Sequence, residues 1–146
     1  MKTIVVSKIL RLRLCEFKSR SGQLLKNMKT KYLFVCTVNK NRSRTAHHLF
    51  AKKLADKHEF KSCGTDIEFI NASKHMKEYE SCTPISGELV NWADEILCME
   101  NYHADIIQVL YGKSIRNKKV SVLDIEDVYC YGSPELKQIL EQKVGL

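Results

Sequence analysis

The sequence predicts an α/β fold, a three-layer sandwich in which a four-stranded parallel sheet lies between helices. Three observations carry that expectation. From Lys31 onward, short apolar runs of strand length alternate with stretches whose apolar residues recur at helical spacing, as in a parallel sheet with crossover helices. The first run, Tyr32-Leu33-Phe34-Val35, is apolar at every position, as a strand covered on both faces must be. The length, 146 residues, suits a single domain with one real core.

Residues 1–27 stand apart from that pattern. Ile4, Val5, Val6, Ile9, Leu10, Leu12 and Leu14, with Arg11 and Arg13 alternating against leucines, fit a short strand or a basic amphipathic helix. An arginine-rich, acid-poor segment can mark an organelle transit sequence or a surface that meets anionic lipid or nucleic acid. A simpler reading is open too. Met28-Lys29-Thr30 repeats Met1-Lys2-Thr3 directly before the α/β pattern, so the natural start is expected at Met28, with residues 1–27 an extension outside the native protein.

The strand Tyr32–Val35 ends at Cys36. Six residues follow, all polar except Val38, and then Ala46, Leu49, Phe50 and Leu54 recur at helical spacing, with Lys57 and His58 expected to close the helix at its negative end. Phe60–Cys63 reads as a second strand with a turn at Gly64, and Asp66–Thr83 as a loop or short helix. Pro84 and Ser86 open the next helix, whose inner side carries Leu89, Val90 and Ala93. Trp92 reads as a packing residue. Ile96–Met99 is the third strand, and Tyr102–Tyr111 a helix with Ile106, Ile107 and Leu110 inward, stopped by Gly112. Ser114–Lys119 is a basic surface loop and Val120–Leu123 the fourth strand. Ser133 caps a last helix with Pro134 at its first position, packed down by Leu136, Ile139, Leu140 and Val144.

Composition bounds the partners. The chain carries a net charge of +7, but residues 1–27 hold seven basic side chains against one acid, leaving only +1 on the other 119 residues. No basic footprint for nucleic acid is therefore expected from residues 28–146. No apolar run is long enough for a membrane span. The six cysteines, at positions 15, 36, 63, 82, 98 and 130, show neither zinc spacing nor close pairing, and several fall in core strands. That usage suits free thiols in a reducing cytoplasm rather than a secreted disulfide framework.

Cys36 to Arg42 is the stretch with chemical meaning. A loop leading from a strand into a helix converges its backbone N–H groups on one point, and the helix N-terminus adds partial positive charge. That point suits an anion. Arg42 offers a planar fork for two oxygens of a phosphate-like group. Cys36 lies beneath the bound group, where the same donors favour thiolate over thiol. Ser43 can hydrogen-bond that thiolate, and Asn39 tolerates a left-handed backbone in a tight loop. Ligands in parallel sheets bind beyond the carboxyl ends of the strands, and both Cys36 and Asp124–Asp127 fall on that rim. An acid for the leaving oxygen can come from Asp124, Glu126 or Asp127, among which residue chemistry alone does not choose.

Cys36-x-x-Asn39-x-x-Arg42-Ser43 after an apolar strand resembles the phosphate-binding loop, a CX5R loop, of the low-molecular-weight protein tyrosine phosphatases, in particular the short bacterial branch of predicted tyrosine phosphatases. Ser62-Cys63-Gly64-Thr65 resembles the family's Ser-Ala-Gly-Thr. Trp92 to Glu100 resembles its Ala-Asp-apolar-Met-acid strand, and Asp124 to Tyr129 its Asp-x-x-Asp-Pro-Tyr loop. The resemblance runs in order from Lys31 to the C-terminus. It implies a phosphotyrosine phosphatase I-like fold with sheet order 2-1-3-4, and a phosphatase-like domain over residues 28–146.

The resemblance also implies a reaction. Cys36 attacks phosphorus while Arg42 and the loop residues Thr37, Val38, Asn39, Lys40 and Asn41 hold the phosphoryl oxygens. Ser43 supports the thiolate. Asp127 protonates the leaving phenol and then activates water against the phosphocysteine. Tyr129 and Tyr131 stand beside the entrance, either sandwiching an aromatic substrate or packing on the last helix. Lys40 either attracts an acidic partner or is simply exposed. No metal or other cofactor is required. The expected partners are a phosphotyrosine protein or a small aryl phosphate, with inorganic phosphate as product.

The sequence departs from the family where Val38 replaces glycine, Asn41 a second cysteine, and Arg44 and Val128 prolines. Val38 fits if it keeps a negative φ, and loss of the second cysteine removes a disulfide partner for an oxidised nucleophile. Two other functions remain open: a thiol-dependent arsenate reductase, for which Cys63, Cys82, Cys98 and Cys130 are widely separated, and a non-catalytic binder of phosphate or phosphoproteins.

Overall fold

The computed structural model describes residues 28–146. The expectations for residues 1–27, including the basic extension, lie outside the described residues.

The first strand, β1 (Thr30–Cys36), runs through the middle of the sheet, and Tyr32 to Cys36 are all buried. It pairs in parallel with β2 (His58–Gly64) on one side and β3 (Glu95–Cys98) on the other, and β3 pairs with β4 (Lys119–Val122). The order is β2-β1-β3-β4, the predicted 2-1-3-4. Side chains alternate across β1 as the pleat requires. Tyr32, Phe34 and Cys36 face one cluster with Phe50, Phe60, Leu97, Met99, Leu136 and Leu140. Leu33 and Val35 face the other, with Val90, Ile96, Cys98 and Ile107. Two cores on opposite faces of one sheet make the three layers.

Helices α1 (Arg42–Leu54) and α5 (Pro134–Val144) cover the first face. The short α3 (Gly87–Trp92) and α4 (Asn101–Tyr111) cover the second. A further short helix, α2 (Ile67–Ala72), follows β2, with the Asp66 carboxylate accepting from the Phe69 N–H at 3.2 Å. Turns continue from there to Thr83.

Several boundaries differ from those read in the sequence. Helix α1 stops at Leu54, and after a turn His58 is the first residue of β2 rather than the end of the helix. Pro84 precedes α3 as a bridge to Gly64, while Ser86 is its cap, accepting from the Leu89 N–H at 3.2 Å. On α4 the buried side is His103 and Ile107, and Leu110 is 52% exposed. The apolar spacing suggested the wrong stripe because a histidine, paired by hydrogen bonds, occupies the inward position one turn before Ile107. At the C-terminus the expectation holds: Ser133 accepts from the Leu136 N–H at 3.2 Å, with Pro134 next.

The carboxyl ends of β1, β3 and β4 are stepped so that each continues onto its neighbour. Met99 N–H donates to Val35 O at 2.9 Å, and Leu123 N–H to Cys98 O at 2.8 Å. This brings Cys36, Glu100 and the segment after β4 to one rim.

Candidate active site

The loop between β1 and α1 is five residues long, Thr37 to Asn41, and it turns back over the end of its own strand. Asn39 makes that possible with φ of +65°, a conformation for which asparagine is among the least strained residues. Val38 is not among the residues with positive φ, so valine is accommodated where the resembling loops carry glycine. The Asn39 side chain is locked, donating to Ser43 Oγ at 2.8 Å and accepting from the Thr83 N–H at 2.9 Å. The second strand supports the loop from beneath. A Cβ added at Gly64 would lie 2.5 Å from Thr37 O and 2.8 Å from Val38 C, so only glycine lets the two segments come this close. Thr65 and Asp66 then donate to Cys36 O and Thr37 O, both at 2.9 Å.

Cys36 Sγ sits at the floor of a cavity of about 210 Å³, lined also by Thr37, Val38, Lys40, Asn41, Arg42, Phe69, Tyr79 and Asp127. The sulfur receives the Asn39 backbone N–H at 3.2 Å and meets Ser43 Oγ at 2.9 Å. No side chain caps the N-terminus of α1, which opens toward this loop. Asn41 instead accepts from the Tyr131 N–H at 3.1 Å.

Arg42 is almost fully buried, an expensive position for a cation unless it is paired. Its Nη1 donates twice, to Glu100 Oε2 at 2.8 Å and to Ile125 O at 2.7 Å. Nη2 reaches Thr37 Oγ1 only at 3.5 Å, and Nε has no hydrogen-bond partner although the Asp127 carboxylate lies 3.5 Å away. Burial disfavours the charge, but the Glu100 hydrogen bond and the charges of Asp127 and Cys36 outweigh it and raise the guanidinium pKa. The same hydrogen bond lowers the pKa of Glu100. The guanidinium is thus held tightly through Nη1, while Nε and Nη2 make only the longer contacts to Asp127 and Thr37.

Behind Thr37 stands a second-layer network. His103 Nδ1 accepts from the Glu100 N–H at 3.0 Å, which puts the ring proton on Nε2, 3.0 Å from Thr37 Oγ1. Burial, then the Arg42 charge, push the His103 pKa down to about 4, so the ring is neutral and Nε2 donates. Tyr102 also hydrogen-bonds Thr37 through its hydroxyl.

The structure therefore brings Cys36, Thr37, Val38, Lys40, Asn41, Arg42 and Asp127 to one cavity, with Asn39 and Ser43 directly behind the sulfur. Asp127 is 59% exposed at the rim. Lys40 pairs with Glu78 at 3.1 Å and lies over the Tyr79 ring at 4.9 Å. Tyr129 and Tyr131 are elsewhere. Tyr129 packs against the cluster under α1 and α5, and the Tyr131 hydroxyl meets His48 Nδ1 at 2.6 Å on the flank of α1. The aromatic walls are instead Phe69 and Tyr79, which meet edge to face with centroids 5.2 Å apart. Sequence reading missed them because Asp66–Thr83 carries no periodic pattern. It also missed Glu100 and His103, whose only signal was the position of an acid directly after the third strand. Among the described residues no group of three or more potential ligands could hold a metal ion.

Solved structures share this architecture. A YwlE mutant from Bacillus subtilis is 26% identical, with 78% of this chain and 95% of that one covered and a TM-score of 0.54. The tyrosine phosphatase Wzb from Escherichia coli K30, in complex with phosphate, is 21% identical over 81% and 95% of the chains, with a TM-score of 0.59. The low-molecular-weight protein tyrosine phosphatase SP-PTP from Streptococcus pyogenes is 17% identical over 81% and 89%, with a TM-score of 0.58. The chain has the low-molecular-weight protein tyrosine phosphatase fold. No family model and no curated protein matches it. The resemblance to low-molecular-weight phosphatases read in the loops thus extends to the whole sheet and its helices.

Proposed function

We propose that residues 28–146 form a phosphomonoester hydrolase domain acting on phosphotyrosine or a similar aryl phosphate through a phosphocysteine intermediate. The observation that carries this reading is the half-committed Arg42. A buried N–H without a hydrogen bond is rare: Nε has only the Asp127 carboxylate at 3.5 Å, Nη2 only Thr37 Oγ1 at 3.5 Å, and Arg42 lines the cavity that holds Cys36. Two parallel donors of that kind fit two oxygens of a phosphoryl group.

In the proposed reaction the Cys36 sulfur, supported by the Asn39 N–H and Ser43 Oγ, forms a bond to phosphorus as the bond to the phenolic oxygen breaks. Arg42 and the amides of the Cys36–Arg42 loop hold the equatorial oxygens as charge shifts. Asp127 gives its proton to the leaving phenolate, then as carboxylate takes one from the water that releases inorganic phosphate from sulfur. Phe69 and Tyr79 flank the substrate ring in the places expected of Tyr129 and Tyr131. A reducing cytoplasm suits this chemistry, since the sulfur must stay unoxidised. No helix among the described residues is long and apolar enough to cross a membrane.

The arsenate-reductase reading draws no support from the other thiols. Cys63, Cys82 and Cys98 are buried, and burial raises the pKa of each, that of Cys98 to about 12, so Cys130 alone of the four is exposed where a relay needs two. A disulfide relay needs accessible thiolates. The test of the proposal is hydrolysis of p-nitrophenyl phosphate without added metal, by the intact chain and by Cys36→Ser. Turnover in the former and none in the latter, with inorganic phosphate still bound by both, is expected. Full activity of Cys36→Ser overturns the mechanism, and tight phosphate binding with no turnover by the intact chain favours a non-catalytic binder.

A further inference from the structure

A second cavity, of about 260 Å³, opens behind the Cys36–Arg42 loop between α1 and β2. Its wall holds Arg44, His47 and His48 from α1, Lys61 and Ser62 from β2, and Ser81 and Thr83 from the segment before α3. No carboxylate among the described residues lines it. Among the described residues, neither Arg44 nor Lys61 forms an ion pair. Arg44 donates to Ser81 O at 2.6 Å, Lys61 lies over the Trp92 ring at 4.6 Å, and His47 Nδ1 meets Ser62 Oγ at 3.0 Å. The concentration of like charge is visible in His47 itself, whose pKa burial first, and then His48, Arg44 and Lys61, push down to about 4.

Cations that line one small cavity rimmed by hydroxyls, with no carboxylate to offset them, repel one another unless an anion joins them. We propose that this cavity is a second oxyanion site that takes inorganic phosphate or an anion of similar size and charge, independent of the site above Cys36. Its volume admits such an ion and not a folded partner. The guanidinium of Arg44 and the ammonium of Lys61 supply the charge, and Ser62, Ser81 and Thr83 the neutral donors. The site adjoins the catalytic loop directly: Thr83 N–H holds Asn39 Oδ1 at 2.9 Å, and the Asn39 N–H in turn donates to Cys36 Sγ at 3.2 Å.

The test is an NMR titration of the intact chain with inorganic phosphate at neutral pH, following the His47 ring signals for the second cavity and the Lys40 amide for the first. The two reporters are expected to saturate with different affinities. In Arg42→Gln the Lys40 response is lost and the His47 response stays. In Arg44→Gln combined with Lys61→Gln, the affinity read at His47 falls by about tenfold or more while that read at Lys40 is unchanged. A His47 signal that does not move, or that follows Lys40 with one shared affinity and disappears in Arg42→Gln, overturns the proposal. The reporters are separate, so loss of the Lys40 response alone would count against the catalytic reading and leave this site standing.

Discussion

Among individual residues, Arg42 bears the largest electrostatic burden and has the least freedom to be replaced. Its Nη1 is tied to Glu100 and Ile125 O, and the residue lines the cavity that also holds Cys36. Arg42→Lys keeps a positive charge but has no planar fork to satisfy both sides. We expect kcat/KM for p-nitrophenyl phosphate to fall by about 100-fold or more, with the far-ultraviolet circular dichroism unchanged. Glycine at position 64 is required for a different reason, since any Cβ there strikes the backbone of Thr37 and Val38. Gly64→Ala is expected to lower stability by about 1–3 kcal/mol in urea unfolding and to weaken phosphate binding, because the loop must shift away from β2. Cys36, Asn39, Arg42 and Ser43 were readable because their chemistry is compressed into eight consecutive residues. Phe69, Tyr79 and Glu100 were not, since they reach the cavity from separate loops and only the folded sheet brings them there.

At the level of elements, α4 holds the site together through a buried histidine. His103 accepts from the Glu100 N–H and donates to Thr37, which it can do only while neutral. His47 on α1 is in the same condition, and the pKa of each lies near 4 against an ordinary value of 6.5. A histidine pKa depressed by folding contributes stability that is complete above pH 6.5 and is lost as pH falls toward 4, because the unfolded chain binds the proton first. The unfolding free energy from urea titration is therefore expected to decline between those pH values, by up to about 1.4 kcal/mol per pH unit for each ring, and His103→Gln is expected to flatten that slope. The helices themselves were legible where capping and apolar spacing agreed, as at Ser133-Pro134 and at Ser86. On α4 the spacing was right for Ile107 but not for Leu110, because the hydrogen-bonded His103 takes the other buried position.

For the whole molecule, the described residues 28–146 hold a four-stranded sheet, a core on each of its faces and the cavity lined by Cys36 and Arg42. The repeat of Met1-Lys2-Thr3 at Met28 marks the expected start of the domain, and on that reading removal of residues 1–27 is expected to leave the melting temperature and p-nitrophenyl phosphate turnover unchanged. Phosphate should raise the melting temperature of the shortened and the full chain alike, as any ligand specific to the native state does. The order of strands was legible through resemblance, while the parallel, two-faced sheet followed from the alternation of apolar runs alone. The proposed chemistry depends most on the sulfur being the atom that receives phosphorus. The direct measurement is rapid acid quenching of Asp127→Ala during turnover of p-nitrophenyl phosphate, followed by mass spectrometry of its peptides. One phosphoryl group on the peptide containing Cys36, absent in Cys36→Ser, is the predicted result; turnover with that peptide unmodified, or with the phosphoryl group on another residue, would contradict it.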